Sequence, residues 1–194
     1  MAGRAGDLAD GTCQRPRRRR DPRLERLAAN RGGGHTEPMD GGGPLTPRQR
    51  IAAECGSGGR AALVTGCVAL LSGRPDDVDD RLITVLGGDA ARHVLDGAEG
   101  GRSGYWPRVW AARGLLHAWD ERADQAAEAE SATDAIIVAL GDHAWRVREM
   151  AAKVVAAHRI GRALDAVAAI RDDPVPRVRV AAERAVVLLT AAQA

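Results

Sequence analysis

Over its last fifty residues the chain repeats one helical pattern of apolar positions. From Val147, residues Met150, Ala151, Val154 and Val155 recur at three-, four- and seven-residue spacing, with His158 on the same face. From Val178, residues Ala181, Ala182, Ala185, Val186 and Leu189 do the same. A polar turn precedes each set: Asp142-His-Ala-Trp-Arg-Val-Arg148 and Asp173-Pro-Val-Pro-Arg-Val-Arg179. Asp142 to Asp173, Val147 to Val178 and Arg148 to Arg179 are each 31 residues apart. A fixed period of one helix pair predicts stacked repeats, because such a unit buries its apolar face only against its neighbours. The expected fold is all-α, an α-solenoid.

Upstream, Thr46-Pro-Arg-Gln49 predicts a capped helix over about 47–55, stopped by Gly56-Ser-Gly-Gly59. The stretch 60–72 is apolar nearly all round, so it is expected at the centre. A helix over 78–87 follows Pro75-Asp-Asp, and a short one over 89–96 leads into the glycine-rich 97–104. Next come 107–119, an acidic Ala-rich connection from Asp120 to Ser131, then 132–141 paired with 145–159 and 162–171 paired with 176–192. Pro174 and Pro176 hold the last turn open.

Residues 1–45 lack this periodicity. They hold Arg-Pro-Arg-Arg-Arg-Arg at 15–20 and two Gly triplets, so a solvated tail is expected, with Met39 as an alternative start. Residues 1–38 carry nine Arg against five acids, whereas 39–194 carry 19 Lys+Arg against 21 acids. The folded part is therefore slightly acidic, which places nucleic acid second among expected partners. Three cysteines, Cys13, Cys55 and Cys67, form no disulfide framework and suit the cytoplasm. No run is long enough to span a bilayer, and the basic N-terminus has no apolar core of a signal peptide behind it.

The polar turns predict a ladder. Asp142 and Asp173 sit where they can cap helices, and Arg148 and Arg179 flank the buried faces. An Asp of one repeat can cap its helix and pair with an Arg of its neighbour; at the last turn a local coupling of Asp173 to Arg179 is expected, with Arg148 across repeats as the alternative. A looser third copy, Pro107-Arg-Val-Trp-Ala-Ala112, aligned on Arg-Val, has Gly104 and Trp110 at the Asp and Arg positions, so the ladder is expected to end there.

The Asp-x5-Arg and Val-Arg-x-x-Ala patterns make residues 105–192 resemble HEAT repeats of the short bacterial, phycobilisome-lyase-like type. The whole of 46–194 is similar to small actinobacterial HEAT-repeat proteins. The resemblance implies a right-handed superhelix, of the armadillo-like helical kind, whose inner helices bind other proteins. Some members of the wider family are enzymes or DNA glycosylases, so fold alone does not assign activity.

Catalytic chemistry is not evident. The five His form no HxxxH or HExxH pair and no Cys pair has CxxC spacing, so neither a metal nor a cofactor is expected. Gly97–Gly104 reads as a loop with Arg102 solvated. Of the aromatics, Trp110 and Trp119 are expected inside and Trp106 and Trp145 at the surface, with His117 beside Trp119. A working surface is expected along the second helices. Arg146 with Lys153, and Arg177 with Arg184, are each seven apart; Arg108 extends the row, and Trp106 and Trp145 flank it. That stripe suits a protein partner with an acidic segment. Val180 and Val187 predict a second apolar side on the last helix, where a second copy or a partner would sit. The functional expectation is a non-catalytic scaffold, with nucleic-acid binding as the alternative and a lyase-like enzyme last.

Overall fold

A computed structural model describes residues 44–119 and 126–191. The described residues fall within one unit, Gly42–Ala194. The tail expected over 1–45, including Met39, lies almost wholly outside the described residues, as do 120–125 of the acidic connection.

Among the described residues there are nine α-helices and no strand. They are α1 Pro47–Glu54, α2 Arg60–Leu71, α3 Asp80–Gly87, α4 Asp89–Leu95, α5 Tyr105–Ala118, α6 Ala126–Leu140, α7 Trp145–His158, α8 Leu164–Ala169 and α9 Pro176–Thr190. The Thr46 hydroxyl accepts from the Gln49 N–H at 3.3 Å and Gln49 Oε1 accepts from the Thr46 N–H at 2.9 Å, closing the expected capping box. Pro75–Asp77 forms a separate 3-10 turn, and α3 starts only after Asp79, whose carboxylate accepts from Leu82 N–H at 2.7 Å. Helix α5 begins at Tyr105, two residues ahead of Pro107; in a first turn the missing proline N–H breaks no helical bond. Helix α8 is much shorter than the expected 162–171, being flanked by 3-10 turns at Gly161–Ala163 and Ile170–Asp172. Asp173, before Pro174, is pushed out of the helical region to φ −52, ψ 139 and ends the segment.

Helix α2 is central, packing on α5 and α6, with fully buried Leu63 and Cys67 facing Gly114 of α5. Burial pushes the Cys67 thiol far up, so it stays protonated and packs as a small apolar group. Helix α7 packs on α5, α6 and α9, and α9 also packs on α8. The periodic faces are the ones buried: Val147, Ala151, Val154 and Val155 on α7, and Val178, Ala182 and Ala185 on α9, are fully covered. Each valine contributes about 1.5–3 kcal/mol by leaving water, while the alanines let the helices approach. Bulky rings fit where glycine leaves room. A Cβ on Gly87 would stand 2.6 Å from the Trp110 ring. Trp110 and Trp119 are buried, as expected from the sequence.

Candidate functional site

The polar turns build two matching rungs. Arg108 Nε donates to Asp142 Oδ2 at 2.7 Å and its Nη2 to Oδ1 at 3.4 Å. Arg148 Nε donates to Asp173 Oδ2 at 2.7 Å and its Nη2 to Oδ1 at 3.1 Å. Each aspartate also accepts, at 2.8 Å, from the backbone N–H two residues on, at Ala144 and Val175. Each arginine donates Nη1 to carbonyls at the mouth of its own helix: Ser103 and Gly104 for Arg108, Asp142 and His143 for Arg148. One guanidinium thus ties its own loop to the carboxylate of a later turn. The Arg148 N–H bond holds the Asp173 carboxyl below its usual range.

Three expectations change here. Asp173 couples to Arg148 across repeats, while Arg179 donates to the Asp173 and Pro174 carbonyl oxygens. The ladder does not stop upstream of Asp142, because Arg108 supplies its first rung. For the same reason Arg108 is not a cation of the binding row: its side chain is 15% exposed and already paired. Alignment on the Arg-Val dipeptide hides this. Ala111, Ala151 and Ala182 are all fully buried, and each has an arginine three residues before it: Arg108, Arg148 and Arg179. The spacing from arginine to buried alanine is what the packing requires.

Arg102, expected in solvent, is also tied down. It pairs with Asp80 and donates to the carbonyls of Pro75 and Val78. It thereby fastens the 3-10 segment Ala98–Ser103 to the start of α3. His117 is exposed, and the ring against Trp119 is that of His158, with centroids 4.9 Å apart.

Beside the ladder runs an aromatic and cationic stack. The Arg146 guanidinium lies 4.4 Å from the Trp145 centroid, 5.4 Å from Trp106 and 5.9 Å from Tyr105. Arg177 lies 5.6 Å from the same Trp145 ring. Trp106 is stacked on Trp110 at 6.2 Å, and Glu99 accepts from both the Tyr105 hydroxyl and the Trp106 indole. Trp106 and Trp145 are accordingly half-buried. Glu99 has no periodic signal in the sequence; it lies in the glycine-rich segment and reaches the rings through a left-handed φ of 50°.

The stack leads into a groove of about 580 Å³ between α7 and α9. Leu116 of α5, Ala156 and Ala157 of α7, and Val180 and Leu188 of α9 supply its apolar lining. Lys153, Arg177 and Arg184 line it together with a single acid, Glu149. Glu149 accepts from Lys153 at 2.8 Å and from Arg177 at 3.3 Å, while Arg184 has no ion-pair partner among the described residues. Val180 is 70% exposed and Val187 53%. Of the expected binding residues, the fold therefore brings Lys153, Arg177 and Arg184 to one groove, puts Arg146, Trp106 and Trp145 in the adjoining stack, and removes Arg108.

Among the described residues no cluster of His, Cys, Asp and Glu could hold a metal ion, and no helix is long and apolar enough to cross a membrane. No family model, curated protein or solved structure matches the chain.

Proposed function

We propose that this chain is a non-catalytic protein-interaction scaffold acting in the cytoplasm. In this reading residues 46–194 form an α-solenoid of HEAT-like helix pairs, wound as a right-handed superhelix, and α5, α7 and α9 are the second helices that carry the binding surface. The 31-residue period and the side-by-side contacts of α5 with α7 and of α7 with α9 support the architecture. The single observation that carries the function is the groove between α7 and α9: an apolar lining, three cations and one acid, on the ridge that the sequence marks. Interfaces draw their energy from a few Trp, Tyr and Arg anchors beside apolar pockets, and this surface offers them side by side.

The test is capture of partners from native lysate by the wild type and by the triple variant Arg146→Glu, Arg177→Glu, Arg184→Glu. All three side chains lie outside the buried core, so helical circular dichroism and the melting temperature should be kept. Loss of the main captured protein is the expected result; unchanged capture overturns the reading. Nucleic acid is the second reading, favoured by the ridge arginines Arg146 and Arg184, which have no ion-pair partner among the described residues. It requires binding to a labelled single strand that weakens steeply with salt.

A further inference from the structure

We infer that the groove between α7 and α9 receives one amphipathic helix of a partner protein, apolar on the side that enters and acidic on the flank facing Arg146, Arg177 and Arg184. This deepens the protein-recognition reading and depends on it.

Length and lining argue for a helix. The groove follows α9 from Pro176 to Leu188, twelve positions on, or about 18 Å at the helical rise. Val180 and Leu188 are eight residues apart along it, about 12 Å. An incoming helix sets apolar anchors at i, i+3 or i+4, and i+7, spanning about 10 Å, so its first and last anchors match that separation. An extended peptide would lay unpaired N–H and C=O groups over Leu116, Ala156 and Val180, which offer no side-chain hydrogen bonds. A helix satisfies its own backbone and brings only side chains to the groove.

Charge argues for acidity. Lys153 and Arg177 share one acid, Glu149, and neither Arg146 nor Arg184 has an ion-pair partner among the described residues. Two guanidinium groups, Arg146 and Arg177, lie against one ring, Trp145. Rings position guanidinium groups without neutralising them. The fork of Arg146 is therefore held in place with its N–H donors uncommitted among the described residues, the arrangement that suits a carboxylate.

The same geometry disfavours the other occupants. Bases bind by stacking on free aromatic faces, but Trp106 is engaged by Trp110 and Arg146, and Trp145 by two arginines. A sugar-phosphate chain has no use for the Val180 and Leu188 lining. A second copy laid along α9 would bring Arg177 and Arg184 towards their own counterparts, and the nearest acid on that helix, Glu183, is already bound to Arg171 at 2.6 Å.

The test uses the full chain and a displayed library of helical peptides of about 18 residues, long enough to hold helix on binding. Leucines are fixed at i, i+3 and i+7, and the flanking positions vary among Asp, Glu, Lys, Arg and Ser. The expected result is enrichment of Asp and Glu on one flank. The best peptide, synthesised alone, should lose at least about tenfold in affinity against Val180→Asp and against Arg184→Glu, and nothing against Val138→Asp, an exposed valine on α6. Selection of basic or uncharged flanks overturns the proposal, as does a library that gives no binder. Binders lost on Trp145→Ala but indifferent to Val180→Asp overturn the groove while leaving the protein-recognition reading in place. Single-stranded DNA bound through Arg146 and insensitive to Val180→Asp would overturn both. Concentration-dependent sedimentation abolished by Val180→Asp would assign the groove to a second copy and also overturn the proposal.

Discussion

A guanidinium carries five N–H donors, and this chain directs many of them at its own backbone. The last carbonyls of a helix have no partner inside it. Arg50 donates to the Val85 carbonyl at 3.0 Å and Arg113 to that of Leu86 at 2.8 Å, closing the end of α3. Arg60 donates to the Ala118 carbonyl at the end of α5, at 2.8 Å. The chain holds a single Lys beside 27 Arg, and a lysine lacks the planar fork with which Arg148 spans a carboxylate and two carbonyls. The Asp173 side chain is 4% and that of Arg148 14% exposed, so removing one partner strands the other. Arg148→Ala should cost about 3–5 kcal/mol in chemical denaturation, and Arg148→Lys less, since charge remains but the fork is lost. In double-mutant cycles Arg148 and Asp173 should couple strongly, while Arg179 and Asp173 should couple more weakly, because Arg179 bonds only backbone oxygens of that turn and reaches the carboxylate through its charge alone. The pH dependence follows from the same pair. Arg148 lowers the folded Asp173 carboxyl below its ordinary 3.8, so this stabilisation is present above that value and is lost as pH falls through the folded one. Asp173→Asn should therefore lower stability at neutral pH and flatten its decline below about pH 4; a decline as steep as that of the wild type would remove Asp173 as its source.

At the scale of elements, which stretches are helical is legible from spacing and caps, because Thr46, Gln49 and the apolar rows act locally. Register between repeats is not. Forty residues separate Arg108 from Arg148 and only 31 separate Arg148 from Arg179, so a single period cannot align all three. The binding ridge is half legible in the same way. Seven-residue spacing puts Arg177 and Arg184 on one side of α9, but the groove also needs Leu116 from α5 and Ala156 from α7, and contacts between elements leave no mark on a helical period. Close crossings are equally hidden until helices are packed. A Cβ on Gly114 of α5 would stand 2.5 Å from Cys67 Sγ of α2 and 2.8 Å from Leu86 Cδ2 of α3, both fully buried. Gly114→Ala gains about 1 kcal/mol of helix propensity against an overpacking cost of about 1–3 kcal/mol. A lower melting temperature is expected, and Gly114→Val should lower it further. A stabilised alanine variant would mean that α5 can slide away from α2.

Across the described residues, neighbouring helices are joined by buried apolar faces, by arginines bound to helix-end carbonyls, and by ion pairs, among which the rungs Arg108–Asp142 and Arg148–Asp173 are the matched ones. If the array is quasi-one-dimensional, its stability is a sum over units and nearest-neighbour interfaces, and damage at one interface stays local. Each rung crosses one interface, so the two can be cut separately. Arg148→Ala loosens the attachment of the α8–α9 unit but leaves α2, α5 and the Arg108–Asp142 rung intact. At the lower estimate of about 3 kcal/mol, local opening should become about a hundredfold more frequent. Native-state hydrogen exchange resolves that difference amide by amide. Amides of α9 from Val178 to Leu189 should lose about two decades of protection in Arg148→Ala, whereas those of α2 around Leu63 and Cys67 should be unchanged. Asp142→Ala, cutting the earlier rung, should extend the loss to α7 as well as α9. Equal loss in α2 and α9 from the Arg148 change would show one globally cooperative core, and the proposed solenoid would then have to be abandoned as a description of how this chain holds together.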